Sequence, residues 1–235
     1  MQGTPPNVLG TDALCSGYGR SQVLFEVSLE VPARGAIAIL GRNGAGKSTL
    51  LKTLAGELIP MSGAIEFDGE RIESMPMELR ARAGMGYVPQ EDAAFSGLTV
   101  RENLQLGAIR RRNRSEIDEV LTVFPKLGKR LDQAAGTLSG GERKMLAIGR
   151  AMLGQPKLLM LDEPTEGVWI GVIEEIAEQL EKLSQTMAVV LVEQNVDLAL
   201  RVASRAYVMG RGRIAMEGPV HELRDDPELI RYLSP

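Results

Sequence analysis

The sequence has one cysteine, one histidine and no long apolar run, and each shortage excludes something. A single thiol, Cys15, cannot form an internal disulfide and has no ligand-spaced neighbours, which fits a reducing compartment and a small core side chain. The longest apolar stretches, such as residues 188–192, fall far short of the ~20 residues that span a bilayer. The opening MQGTPPNVLG lacks the charged-then-apolar layout of a secretory signal, so the chain is expected in the cytosol unless a partner holds it at a membrane. Positive charge is in slight deficit, with 27 Lys and Arg against 31 Asp and Glu for a formal charge of −4. Only Arg110, Arg111, Arg112 and Arg114 cluster, as a solvated helix end or a contact to a phosphate or lipid headgroup. The footprint of a nucleic-acid binder is missing, and no nucleic-acid partner is expected. There is no tandem repeat, and 44% hydrophobic with 25% charged residues suits a soluble globular protein of one large domain or two small ones.

What is present alternates between two kinds of apolar pattern. Residues 23–31, VLFEVSLEV, and 63–69, GAIEFDG, alternate apolar and polar, predicting half-buried antiparallel strands near the N-terminus. Residues 36–40, AIAIL, are apolar throughout, as in a parallel strand covered on both faces. Two more such runs, 157–163 and 187–193, flank a helical stretch at 171–183, and strand, helix, strand repeated this way implies an α/β fold. From roughly 98 to 135 the periodicity is helical, which reads as a helical subdomain inserted in the core. The tail, 217–235, is polar and ends in a short amphipathic stretch expected to pack on the surface.

Residues 41–49, GRNGAGKST, fit G-x-x-x-x-G-K-[ST] with Gly41, Gly46, Lys47 and Ser48 at the fixed positions. Glycines let consecutive backbone N–H groups turn inward around phosphate oxygens, and the loop opens a helix whose N-terminal dipole favours the same charge. Gly41, Gly44 and Gly46 supply that freedom, Lys47 is the reach to the β- and γ-phosphates, and the Ser48 hydroxyl is a ligand for Mg²⁺. Further on, residues 158–163, LLMLDE, end an apolar strand in two acids at the sheet edge where open α/β folds bind ligands. Asp162 is placed to hold the magnesium and Glu163 to polarise the attacking water. Residues 138–152, LSGGERKMLAIGRAM, set Ser139, Gly140 and Gly141 at the start of an amphipathic helix, a second site for an oxyanion.

These motifs, in this order and over nearly the whole length, resemble the ATP-binding-cassette ATPases. The resemblance implies a P-loop NTPase (RecA-like) α/β core with an N-terminal antiparallel β subdomain and an inserted α-helical subdomain at about 91–150, all within one domain of residues 6–235. It implies ATP and Mg²⁺ as ligands, with Asn43, Ala45 and Thr49 completing the phosphate loop. It further implies that Ser139, Gly140 and Gly141 close over the γ-phosphate held by a second subunit, making a head-to-tail dimer. Tyr18, in GYGRSQVL, matches the aromatic that stacks on adenine; a buried strand-edge tyrosine is the alternative reading. Gln90, in YVPQ, matches the glutamine that touches magnesium and the attacking water. Residues 91–98 would then face the groove that receives a membrane subunit.

Two positions depart from the family pattern. Gln194, in LVEQN, stands where the family usually has a histidine on the γ-phosphate, and the only histidine, His221, lies in the tail and reads as a surface residue. Trp169 stands where an acidic residue of the dimer contact is usual, packed in a core or an interface. With these departures, LAIGRAM, VFPKL and LVEQN resemble the shorter ATPase of bacterial branched-chain amino-acid importers, which also lacks the histidine. GRNGAGKSTLLKTLAG, ARAGMGYVPQ and EPTEG look closer to its counterpart in urea and short-chain amide importers. The resemblance implies a homodimer in isolation, a second histidine-bearing ATPase in the cell, transmembrane permease subunits, a solute-binding protein as indirect partner, and a peripheral place on the inner membrane face. Two other readings stay open. One is a soluble cassette protein of DNA repair or translation, although those usually carry paired cassettes or a coiled-coil insertion. The other is a weakly active nucleotide-binding regulatory subunit, as the neutral Gln194 suggests.

Overall fold

A computed structural model describes residues 7–91, 93–109, 115–224 and 226–233. Strands β1 (Asn7–Tyr18) and β2 (Ser21–Pro32) pair antiparallel. β3 (Gly35–Gly41) runs into α1 (Lys47–Ala55), and β4 (Ser62–Phe67) and β5 (Glu70–Arg71) return to the first sheet, whose order is β2-β1-β4-β5. α2 (Met77–Ala83) leads into β6 (Met85–Val88). Four helices then follow, α3 (Val100–Gly107), α4 (Ser115–Val123), the short α5 (Pro125–Gly128) and α6 (Gly140–Met152). The chain next builds β7 (Leu158–Asp162), α7 (Ile170–Ser184), β8 (Ala188–Glu193) and α8 (Val196–Val202). It closes with β9 (Arg205–Gly210), β10 (Arg213–Pro219), α9 (Val220–Leu223) and α10 (Pro227–Leu233).

The second sheet has the order β10-β9-β3-β8-β7-β6, parallel except for β10 at its edge. The uniformly apolar strands lie at its centre because both faces are covered. Leu158, Met160, Val190 and Val192 pack in the core shared with the antiparallel sheet and α1. Their neighbours Leu159, Leu161, Val189 and Leu191 pack in the other core with Leu146 and Ile148 of α6 and Ile176 and Leu180 of α7. Val100 and Leu104 of α3, Leu127 of α5 and Phe124 between α4 and α5 belong to that same cluster. Successive side chains of a strand point to opposite faces, so this split between two cores is the period of two made visible.

β1, β6, β9 and β10 go beyond the strands expected from the sequence, although residues 206–209 of β9 form a short apolar run that is buried throughout. β1 in particular shifts register against β2 at four places, which scrambles its alternation. Residues 217–219, expected as polar tail, end β10 instead. The arginine cluster Arg110, Arg111, Arg112 and Arg114 lies outside the described residues. Cys15 is only partly buried, its sulfur accepting the Glu26 N–H at 3.4 Å, so it sits at the border of the core rather than in it. Among the described residues no helix is long and apolar enough to cross a membrane.

One buried cation fixes the helix that carries Lys47. Arg80 of α2 is 1% exposed, and its guanidinium donates to Thr53 O at 2.8 Å and Leu54 O at 2.9 Å in the last turn of α1. It also donates to the carbonyls of Ile72, Glu73 and Met75 at 2.7, 3.1 and 2.8 Å. The orphan carbonyls of a helix end are thereby satisfied by a fork of donors. Arg80→Ala removes five hydrogen bonds from the interior, leaving Thr53 O and Ile72 O only their backbone partners Gly56 N and Met75 N, and is expected to cost about 3 kcal/mol of stability, read as a lower midpoint in chemical denaturation.

Candidate active site

The loop between β3 and α1 turns because its glycines take backbone conformations that side chains resist. Gly41, Gly44 and Gly46 have φ of 153°, 78° and 103°, and a Cβ on Gly41 would lie 2.6 Å from Met209 O. Gly46 is the N-cap of α1 and no side chain caps that helix, so the positive end of its dipole opens onto the loop. Asn43, Gly44, Gly46, Lys47, Ser48 and Thr49 line one cleft together with Val23, Gln90 and Glu163. Gly41 and Ala45 support the loop from behind. The Gly41 carbonyl accepts from Lys47 Nζ at 2.8 Å, and the Ala45 carbonyl accepts from Gly212 N at 2.9 Å.

β7 brings two carboxylates to the edge of this cleft, Asp162 and Glu163, 2% and 4% exposed. Asp162 Oδ1 accepts the Ser48 hydroxyl at 3.2 Å. Burial pushes the Asp162 carboxyl above its usual range, against the pull of that hydrogen bond. Two hard oxygen donors so placed suit Mg²⁺, which prefers a few carboxylate and hydroxyl oxygens. Glu163 is held on three sides. Its Oε1 is 3.3 Å from Lys47 Nζ, and its Oε2 accepts from Gln194 Nε2 at 2.8 Å and Gln90 Nε2 at 3.2 Å. Gln90 Nε2 also donates to Glu166 Oε2 at 2.6 Å. Glu163 has φ 46°, a left-handed backbone rare for a residue with a Cβ.

Tyr18 ends β1 half exposed, 3.5 Å from Thr49 Oγ1, so the alternative of a buried strand-edge tyrosine does not hold. Ser139, Gly140 and Gly141 do not line the Lys47 cleft. Ser139 caps α6 in a capping box, its Oγ accepting Glu142 N at 3.3 Å while Glu142 Oε2 accepts Ser139 N at 2.9 Å. Gly140 borders a separate hollow with Gln90, Lys144 and Gly167, and Gly141 is buried where α6 meets Val172 of α7. Trp169 is 74% exposed and packs in no core of this chain, while His221 is exposed as expected.

A participant that sequence reasoning missed is Glu193, the last residue of β8, 2% exposed. Its Oε1 accepts Thr165 N at 3.1 Å and Thr165 Oγ1 at 2.6 Å. Its Oε2 accepts Gln194 N at 3.2 Å and Asn195 N at 3.3 Å. Burial raises its carboxyl pKa, opposed by these hydrogen bonds, and the side chain pins the loop after β7 to the loop after β8. An acid closing an apolar run was the only sequence signal, and it reads equally as a solvated strand end.

Comparison with known proteins places this geometry. A family model described as ABC transporter matches residues 24–166. The high-affinity branched-chain amino acid transport ATP-binding protein BraG of Pseudomonas aeruginosa is 42% identical, over 94% of this chain and 97% of that protein. The lipopolysaccharide export system ATP-binding protein LptB of Haemophilus influenzae is 34% identical, over 97% and 98%. The crystal structure of a nucleotide-free ATP-binding cassette from an ABC transporter superposes with a TM-score of 0.86 at 26% identity, covering 98% of this chain and all of that one. With a phosphate loop, two facing carboxylates and a separate helix capped by Ser139 ahead of two glycines on an α/β frame of this kind, the chain belongs to the ABC transporter family, as one of its ATPases.

Proposed function

We propose that this chain drives an importer by binding ATP and Mg²⁺ in the Lys47 cleft and hydrolysing the nucleotide there. The observation that carries this reading is the convergence of Lys47, Ser48, Gln90 and Glu163 on one cleft, with Asp162 hydrogen-bonded to Ser48 and Gln194 to Glu163. The loop N–H groups of residues 43–49 and Lys47 receive the phosphates, and Tyr18 offers a ring to the adenine. Ser48 and Asp162, with Gln90 beside them, would hold the Mg²⁺, which when bound neutralises charge on the β- and γ-oxygens. A triphosphate outcompetes one carboxylate for Lys47, and that exchange releases Glu163 Oε1 to accept a proton from the attacking water. Gln90 and Gln194 orient that water and the γ-phosphate from the opposite oxygen of Glu163.

Ser139, Gly140 and Gly141 do not line this cleft, which supports their serving a nucleotide held by a second subunit. Phe95, Leu106 and Ile109 are exposed along an apolar groove that Met77 and Ala93 also line, a surface suited to a helix of a transmembrane permease. The site therefore belongs at the inner face of the membrane, held there by its permease. For the cargo, the 42% likeness to a branched-chain amino-acid transport ATPase outweighs the 34% likeness to a lipopolysaccharide export one, and favours uptake of branched-chain amino acids. The EPTEG stretch keeps urea and short-chain amides as the second choice, separated from the first by uptake assays on the assembled transporter.

Glu163→Gln is expected to reduce ATP turnover about a hundredfold or more while nucleotide still binds, the usual scale for removing a general base. Lys47→Ala is expected to weaken ATP binding itself; a Glu163→Gln protein that turns over normally would refute the role given to Glu163. Affinity purification of the assembled complex from membranes should recover a second, histidine-bearing ATPase with this chain. A transporter containing this ATPase alone would contradict that.

A further inference from the structure

We infer that Lys144 is a positioning residue for hydrolysis, an ammonium that holds the backbones of Gln90 and Glu163 in place through their carbonyl oxygens. Lys144 Nζ donates to Gln90 O at 2.5 Å and to Glu163 O at 3.2 Å. Gln90 follows β6 and Glu163 follows β7, neighbouring parallel strands whose last paired residues are Val88 and Leu161. One side chain thus continues the tie between the two strands at the point where their own hydrogen-bond ladder has ended.

The tie matters because Glu163 stands in a left-handed backbone conformation, which persists only where the surroundings over-determine it. Its N–H is fixed on Val192 O at 2.9 Å, and its carbonyl is shared between Lys144 and Glu166 N at 3.3 Å. Without Lys144 the Glu163 carbonyl keeps only the 3.3 Å bond from Glu166 N, so the backbone that sets the carboxyl between Lys47, Gln90 and Gln194 is held less tightly. Lys144 also has a charge to contribute. Burial lowers its pKa, and the fields of Glu166, Glu193, Asp162 and Glu163 around it oppose that shift. The scaffold behind it is rigid, since Met145, Leu146 and Ile148 on the same helix are fully buried. The same helix opens with Ser139, Gly140 and Gly141, so the residues offered to a partner's nucleotide and the tie on this chain's own site ride on one body.

This inference rests on the reading in which Glu163 acts on the attacking water. Its test is steady-state ATP turnover by the full chain carrying Lys144→Met or Lys144→Arg, beside Glu163→Gln. Equilibrium binding of a fluorescent ATP analogue and thermal melting are measured on each. The expected result for Lys144→Met is a kcat lowered about tenfold or more, with KM, analogue affinity and melting temperature close to wild type. Lys144→Arg, which keeps the charge and the donors, is expected to recover much of the lost kcat. Normal turnover in Lys144→Met with a dead Glu163→Gln overturns this inference and leaves the site reading intact. Loss of binding and of thermal stability along with kcat, unrelieved by arginine, also overturns it, as a purely structural role. Normal turnover in Glu163→Gln removes the site reading and this inference together.

Discussion

Burying two adjacent carboxylates at the end of a central parallel strand is the constraint on which the rest of the site depends. Taking Asp162 and Glu163 out of water is costly unless each oxygen finds a donor, and nearly every polar contact in the cleft answers that demand. Ser48 serves Asp162, Lys47 serves one oxygen of Glu163, and two amides serve the other. Lys47 reaches its place because α1 springs from β3, the strand beside β8, and because Arg80 anchors the far end of that helix. The left-handed turn at Glu163 adds a strain on the order of 1 kcal/mol that these same contacts offset. Stability and chemistry are therefore supplied by one set of hydrogen bonds.

Much of this was legible in the order of the residues. A phosphate loop announces itself because glycine spacing and a following lysine are dictated by backbone geometry, and the buried strands because two covered faces leave no polar positions. The antiparallel alternation of 23–31 is equally plain, and from Glu26 to Val31 the strand keeps the expected faces, while before the positive φ of Glu26 it is Leu24 rather than Val23 or Phe25 that is buried. What stayed hidden was hidden for physical reasons. β1 slips register repeatedly, so its side chains keep no period of two. β9 and β10 flank a tight turn at Arg211 and Gly212, whose positive φ values carry no apolar signal. Glu193 looked like a solvated acid because its four donors come from Thr165, Gln194 and Asn195, and the first of these lies far away in sequence.

Glu193 and Gln194 together show how a site with a neutral residue at the end of β8 is organised. The carboxylate is committed to backbone and hydroxyl donors on two loops, and the amide beside it is presented to Glu163. An amide offers both a donor and an acceptor at every physiological pH, whereas an imidazole changes between those states near neutrality. The arrangement fixes hydrogen-bond direction by geometry rather than by protonation, and it does so from a loop that a second carboxylate has already locked.

The exposed indole at position 169 has a different kind of value. The chain contains one tryptophan, and it lies on the connection between β7 and α7, largely in solvent. All tryptophan emission therefore originates from a single place on the surface, a few residues from Glu163. An indole in water emits further to the red than one covered by protein, so the colour of that emission records whether anything lies against the loop. The protein carries its own optical probe of contact at that edge, with no label to attach and no second fluorophore of its kind to subtract.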